Sequence, residues 1–294
     1  KLSKAKIVLV NDSDLKSINP KWVKLQLDAI KKYDYATPLY SRYKYDGTIT
    51  NHVCYPVVYG LFCRNIRQPI GGDFAFSKDF SNYILGQRWY ENARLFGVDI
   101  FMTTHAILGG FRICQVNLGV KIHDIKDPGK TLGPMFRQVV GTLFSIITRN
   151  KERFKGMKGV KEVKVIGGGR SDEPQAFEVN MDILKERFTR GVTEYNPLIK
   201  KCFSERDYKV VNACVRKDVI DIKSEEWVRM VYDAVLAYKK GIKEVVDSLL
   251  PIWFGRVYSF VEETREMSTR KAEKVIVEQA KEFYEQRNYL LDRL

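Results

Sequence analysis

The chain has 294 residues and carries 50 Lys and Arg against 36 Asp and Glu, a net charge of +14. An apolar fraction of 45% is high enough for a packed core, which excludes an intrinsically disordered protein. No apolar run reaches the roughly 18 residues that a membrane span requires. The basic excess attracts anions such as nucleotides and phosphosugars. Because these residues are spread along the chain without a nucleic-acid-binding signature, nucleic-acid binding is not expected.

The five cysteines form no closely spaced pair, and the first residues carry no apolar leader. This pattern is typical of reduced thiols in a cytoplasmic protein.

The first half of the chain alternates short apolar segments with amphipathic ones. In chain order, the pattern predicts a strand at 5–10, a helix at 21–32, a strand at 35–40, a turn at 45–48, helices at 51–63, 78–84, 86–95 and 99–108, and a strand at 112–118. Asn19 and Pro20 are typical of the start of the first helix. Strands that alternate with helices at this spacing predict an α/β fold.

The second half has a different composition. Residues 151–175 are basic and rich in glycine, which predicts a loop or lid, and the chain beyond 177 is mainly amphipathic helix. Ser224 and Ser268 are predicted helix N-caps, and Pro251 is predicted to interrupt a helix. We therefore expect a catalytic region at 1–150 and a mainly helical region at 151–294.

Two acidic residues and one histidine follow predicted strands. Asp12 and Asp14 come directly after the first strand, and His123 comes shortly after the strand at 112–118. Carboxylates are preferred ligands of Mg²⁺ and Mn²⁺, and imidazole suits Mn²⁺. The pattern predicts a Mg²⁺ or Mn²⁺ site for the diphosphate of a nucleotide-activated substrate. A turn or N-cap role for Asp-x-Asp, and a structural role for the histidine, are the alternatives.

Two glycine-containing segments also indicate ligand contact. Residues 68–73, QPIGGD, place two glycines beside an acid, which lets another group approach the backbone closely. Asp99 follows Gly97 at the start of a predicted helix, where it either complements the helix dipole or holds sugar hydroxyls. His52 and His105 have no partner pattern, and we expect them to be structural or surface residues.

The order of these motifs resembles a known family. The matching segments are Asp12–Asp14, the turn at 47–50, QPIGGD at 68–73, GVDI at 97–100, QVNLGVKIH at 115–123 and MFRQV at 135–139. Together they resemble the retaining GT-A glycosyltransferases of the glucosyl-3-phosphoglycerate, glucosylglycerate and mannosylglycerate synthase group. The resemblance implies a GT-A fold with a helical C-terminal extension. It also implies transfer of glucose or mannose from a GDP-, ADP- or UDP-sugar to D-glycerate or 3-phosphoglycerate.

The resemblance also implies roles for individual residues. Asp14 and His123 would hold the metal, with Asp12 at the nucleotide ribose or at the metal. Asp99 would hold hydroxyls of the transferred sugar, and the main-chain carbonyl of Ile70 would face the anomeric carbon. Substrate-binding positions would be Asp12, Thr50, Gly71, Gly72, Asp73 and Arg137.

Two departures from the family pattern change these expectations. The phosphoglycerate enzymes carry an arginine in the turn that here reads Gly47-Thr48-Ile49-Thr50, and losing a guanidinium removes a strong phosphate contact. Free glycerate is therefore the favoured acceptor, unless Arg42 or Lys44 substitutes. The family also places its first nucleotide-binding strands before Asp-x-Asp. We therefore expect this chain to lack those strands, to expose a sheet edge, and to be inactive in isolation.

No carboxylate is predicted beneath the anomeric carbon, which favours front-face attack with retention. Two other functions stay open. A metal-dependent nucleotidyltransferase also uses paired acids and would release pyrophosphate. A non-catalytic anion-binding or assembly module would fit the basic charge and the helical half, whose surface is also suited to a homodimer.

Overall fold

The computed structural model describes residues 4–122, 132–168 and 173–294, so the predicted metal ligand His123 lies outside the described residues. The strands are β1 (Ile7–Val10), β2 (Tyr35–Ser41), β3 (Arg64–Asn65), β4 (Phe74–Ser77), β5 (Ile113–Val120), β6 (Lys161–Glu162) and β7 (Val165–Ile166).

The helices lie mainly in the second half of the chain. They are α1 (Pro20–Ile30), α2 (Tyr55–Gly60, preceded by a π-helical turn at Thr50–Cys54), α3 (Lys78–Leu85), α4 (Val98–Leu108), α5 (Gly133–Arg149), α6 (Lys151–Lys155), α7 (Met181–Glu194), α8 (Asn196–Cys202), α9 (Glu205–Lys217), α10 (Ser224–Lys239), α11 (Val245–Thr264), α12 (Thr269–Glu285) and α13 (Arg287–Leu291). Within the described ranges, none of them combines the length and the apolar character needed to cross a membrane.

The main sheet has the order β1-β4-β2-β5-β7. Strand β4 runs antiparallel to both β1 and β2, whereas β2, β5 and β7 are mutually parallel. Strands β1, β2 and β5 therefore point the same way, and their carboxyl ends meet at one edge of the sheet. This mixed sheet with flanking helices confirms the predicted α/β class.

Strand β2 separates two hydrophobic cores because successive side chains point to opposite faces. Tyr35 belongs to the larger core, and Ala36 packs in the smaller one with Trp22 of α1. The larger core extends from Tyr35 to Leu294. The predicted boundary at residue 150 thus marks a change of composition between two regions that share one core.

The predicted helix ends are only partly confirmed. The side chains of Asn19 and Ser268 accept hydrogen bonds from Trp22 N and Lys271 N, as expected of N-caps. Ser224, by contrast, is the first residue of α10, and the main-chain N–H of the preceding Lys223 donates to the Glu226 side chain.

Three other predictions of secondary structure are wrong. Pro251 lies inside α11, and its ring packs closely on Gly191 of α7, where a Cβ would lie 2.5 Å from the proline. The segment at 86–95 is not a helix beyond a short turn at Asn92–Arg94. The predicted loop at 151–175 contains α6 and the short strands β6 and β7.

Candidate functional site

A cleft of about 340 Å³ opens at the edge where the carboxyl ends of β1, β2 and β5 meet. In open α/β sheets this edge is the usual place for ligands. Six residues predicted from the sequence line it: Asp12, Asp14, Thr50, Ile70, Gly71 and Asp99. They come from segments far apart in the sequence, so the fold brings the predicted motifs together.

Lys121 provides a fixed positive charge beside Asp12. Its side chain is only 4% exposed, and its Nζ lies 2.7 Å from Asp12 Oδ2. It also donates to the main-chain oxygen of Gly71 at 2.8 Å and lies 3.3 Å from Asp73 Oδ2. The ammonium group thus neutralises part of the negative charge at the exit of β1.

Asp73 lies behind the cleft rather than in it. Its carboxylate is fully buried and accepts hydrogen bonds from Asn11 Nδ2 (3.0 Å), Asp12 N (3.1 Å) and the Tyr40 hydroxyl (2.6 Å), in addition to Lys121. The predicted contact of Asp73 with a substrate is therefore corrected, because its oxygens are committed to the protein interior.

The two glycines of the QPIGGD loop are required by packing against neighbouring strands. A Cβ at Gly71 would lie 2.2 Å from Pro38 Cγ, and a Cβ at Gly72 would lie 1.9 Å from Asp12 Oδ2. Gly72 also has a φ of +84°, which favours glycine. The sequence correctly indicated a close approach, but the approaching groups are Pro38 and Asp12. Gly72 is not among the residues that line the cleft.

Ile70 reaches the cleft from the same loop. The carbonyls on either side of it are held internally, because Pro69 O accepts from Thr103 Oγ1 at 2.8 Å and Gly71 O accepts from Lys121. These bonds fix the peptide units that flank Ile70, so its position at the cleft wall is well defined.

Asp99 lies in the first turn of α4 and is only partly exposed in the cleft. Burial raises its pKa to about 7, the negative charge of Asp12 adds to this effect, and Lys121 together with the Gly72 N–H opposes it. A carboxyl group with this pKa can donate or accept a hydrogen bond near neutral pH. Such a group suits contact with the hydroxyls of a sugar.

The turn at 47–50 forms another wall, with Thr48 and Thr50 almost completely buried. Arg42 faces the cleft beside it and lies 3.3 Å from Asp46 Oδ2. Lys44 instead donates to three main-chain oxygens at the end of α11, those of Thr264, Arg265 and Met267, at 2.8–2.9 Å. The donors of Lys44 are thus committed to the protein, and of the two residues considered as replacements for the family's arginine, only Arg42 faces the cleft.

Helix α5 supplies an apolar wall through Met135 and Val139, which lie one turn apart on the same face. Arg137 lies on another face, where it forms an ion pair with Asp247 of α11, and it is not among the residues that line the cleft. Sequence reasoning missed the rim residues Leu95 and Phe96, which are about half exposed. The signal was available, because two apolar residues precede Gly97 and Asp99.

The donor atoms of Asp12 and Asp14 fit a hard divalent cation, since Mg²⁺ and Mn²⁺ prefer carboxylate oxygens. Across 4–122, 132–168 and 173–294, no three His, Cys, Asp or Glu side chains converge on one point. A complete site would need His123, water or substrate oxygens.

His52 and His105 lie in the core, where burial lowers the pKa of both imidazoles.

Comparison with protein-family models gives no match for this chain, and comparison with curated proteins gives none either.

Proposed function

We propose that this chain is a metal-dependent retaining glycosyltransferase of the GT-A type. It transfers glucose or mannose from a nucleoside-diphosphate sugar to D-glycerate or 3-phosphoglycerate. The observation that carries this proposal is the meeting of Asp12, Asp14, Thr50, Ile70 and Asp99 in one cleft at the carboxyl edge of the sheet.

The cleft contains groups suited to both ends of a nucleotide sugar. Asp14 and Asp12 would hold Mg²⁺ or Mn²⁺ together with His123, and the bound cation would neutralise the diphosphate leaving group. Asp99, with its pKa near 7, would bind hydroxyls of the transferred sugar. Leu95 and Phe96 at the rim would shield the reacting centre from water.

The charges in the cleft favour retention by front-face attack. Asp12 is paired with Lys121, Asp46 is paired with Arg42, and Asp99 is close to half protonated at neutral pH. None of these three carboxylates is therefore a strong nucleophile for the anomeric carbon, and the fourth carboxylate that lines the cleft, Asp14, would be committed to the cation. An α-linked donor would give an α-linked product, and an inverted product would contradict the mechanism.

The wall formed by the turn at 47–50 and Arg42, where the acceptor would bind, favours a free carboxylate over a phosphate ester. Arg42 is the cation at this wall, and Asp46 already neutralises part of its charge. Thr48 stands where the phosphoglycerate enzymes carry an arginine. One partly neutralised guanidinium suits the single carboxylate of D-glycerate better than a phosphate dianion.

The test is to follow product formation by NMR. The chain, and any longer form that its gene encodes, would be incubated with Mg²⁺, GDP-, ADP- or UDP-glucose or the mannose analogues, and either D-glycerate or 3-phosphoglycerate. We expect a new α-anomeric signal with D-glycerate. Pyrophosphate release would instead indicate nucleotidyl transfer, and no turnover with any donor would indicate a non-catalytic anion-binding protein.

A further inference from the structure

The buried carboxylate of Asp73 ties together four segments of the main sheet. Its partners Asn11 and Asp12 follow β1, Tyr40 lies near the end of β2, Lys121 follows β5, and Asp73 itself precedes β4. All four segments border the edge of the sheet at which the cleft opens. This carboxylate therefore fixes the relative positions of the strand ends that carry the site.

The hydrogen-bonding capacity of this carboxylate is fully used. An ionised carboxylate has about four acceptor positions. Asp73 Oδ1 accepts from Asn11 and from Asp12 N, and Oδ2 accepts from Tyr40 and Lys121. A ligand in the cleft would find no free acceptor on Asp73.

The ammonium group of Lys121 is saturated in the same way. It has three N–H donors, and three oxygen atoms surround it: Asp12 Oδ2, Gly71 O and Asp73 Oδ2. A direct hydrogen bond from Lys121 to a bound anion would cost one of these contacts. Its charge still acts on the cleft, but its donors serve the protein.

We propose that Asp73 is a positioning residue, which holds Lys121 and the Asp12 main chain so that the Asp12 carboxylate is presented to the nucleotide sugar in a fixed place. Asp73 contacts the main chain of Asp12 directly, and it contacts the Asp12 side chain through Lys121. This inference rests on the proposed function for its binding role, but the hydrogen-bond network itself can be tested without it.

Asp73→Asn is the variant that keeps the hydrogen bonds to Oδ1 and removes those to Oδ2. The asparagine keeps the size of the side chain, and its Oδ1 still accepts from Asn11 and Asp12. Its amide group replaces Oδ2, so it donates where Lys121 and Tyr40 require an acceptor. We expect a folded protein in which the Lys121 ammonium loses one of its three partners.

The first measurement is ammonium-selective NMR of ¹⁵N-lysine-labelled protein. Lys44, whose ammonium is held by three carbonyl oxygens and makes no hydrogen bond with Asp73, serves as an internal reference. In Asp73→Asn we expect the Lys121 signal to shift or to be lost by fast exchange, while the Lys44 signal stays unchanged. An unchanged Lys121 signal would overturn the proposed network.

The second measurement is ligand binding, by titration with GDP, ADP and UDP in the presence of Mg²⁺ and by KM where turnover is seen. We expect Asp73→Asn and Lys121→Met to weaken nucleoside-diphosphate affinity about tenfold or more, in the range typical of residues that orient a ligand-binding group. KM for the acceptor should stay within about twofold, which a general loss of structure would not produce.

Asp34→Asn is the matched control. Asp34 forms an ion pair with the exposed Arg112, at 2.9 Å. The two residues precede β2 and β5, so this pair lies at the end of the sheet away from the cleft. Loss of this pair should not change nucleotide affinity. Equal effects of Asp34→Asn and Asp73→Asn would contradict a positioning role. If neither this chain nor any longer form that its gene encodes binds one of the three nucleotides, the proposed function is refuted, and the Lys121 signal alone then decides whether Asp73 holds the network.

Discussion

The protonation of Asp99 links the cleft to the stability of the fold. Its pKa of about 7 lies above the ordinary value of 3.8, so between these values the folded state binds this proton more tightly than the unfolded state does. The contribution of Asp99 to stability is therefore full below about pH 4 and is lost as the pH rises toward 7.

Asp99→Asn should mimic the protonated form. Without divalent cations, we expect this variant to be more stable than the wild type by up to about 4 kcal/mol near pH 8, and almost unchanged near pH 4. Urea unfolding at both pH values would measure the difference. Destabilisation near pH 8 would show that the ionised carboxylate is favoured in the fold.

Gly72 should tolerate no side chain, because a Cβ would intrude on the Asp12 carboxylate. We expect Gly72→Ala to destabilise the protein by about 1–3 kcal/mol and to abolish nucleotide affinity. Gly110→Ala is the control, since Gly110 also has a positive φ of 73° but nothing within 4 Å of its Cβ position. If both variants keep nucleotide affinity, the contact with Asp12 is not required.

The residues of the cleft were predictable where the information is local. Asp12 and Asp14 follow a strand directly, Asp99 lies at the start of a helix, and Ile70 lies in a glycine-containing loop. The structure brings these four residues together in one cleft. The burial of Asp73 was not predictable from its own segment, because its partners are up to 62 positions away. The position of Arg137 outside the cleft was not predictable either, because it depends on which face of α5 packs on α11.

The contact between α7 and α11 depends on small residues. Gly191 accommodates the ring of Pro251, and a Cβ at Gly255 would lie 2.6 Å from Phe188 Cδ2. A proline in a helix interior removes one main-chain hydrogen bond, and in α11 its ring packs against a glycine of the neighbouring helix. The sequence rule predicted a break at Pro251, since a neighbour 60 positions away is not visible in a local pattern.

Gly255→Ala should weaken this contact through overpacking. We expect a loss of about 1–3 kcal/mol, measured by urea unfolding. Gly86→Ala is the matched control, because the nearest atom to its Cβ position is 3.5 Å away and its φ is −79°. Similar stabilities of the two variants would indicate that α7 and α11 can separate without cost.

The larger hydrophobic core spans both regions predicted from composition, so the whole molecule should unfold as one unit. We expect coincident transitions when unfolding is followed by tryptophan fluorescence and by far-ultraviolet circular dichroism. Trp22 packs in the smaller core, whereas Trp227 and Trp253 pack in the larger one. Two separated transitions would contradict unfolding as one unit.

The whole-molecule architecture was predictable only in outline. Alternating apolar segments indicated α/β, but the antiparallel placement of β4 between β1 and β2 depends on long-range pairing. The positive charge was visible in the composition, yet Arg256 and Arg287 lie in the core, where protein carbonyl groups accept their hydrogen bonds. Part of the +14 charge therefore serves internal structure and does not face an external anion.

Lys44 connects the wall of the cleft to the far end of α11. Its main chain lies a few residues before the turn at 47–50, and its ammonium group donates to the oxygens of Thr264, Arg265 and Met267, at and just beyond the end of a 20-residue helix. An outward displacement of this turn would therefore strain three hydrogen bonds to the end of that helix. The mobility of this wall of the cleft thus depends on main-chain oxygens of residues that do not line the cleft themselves.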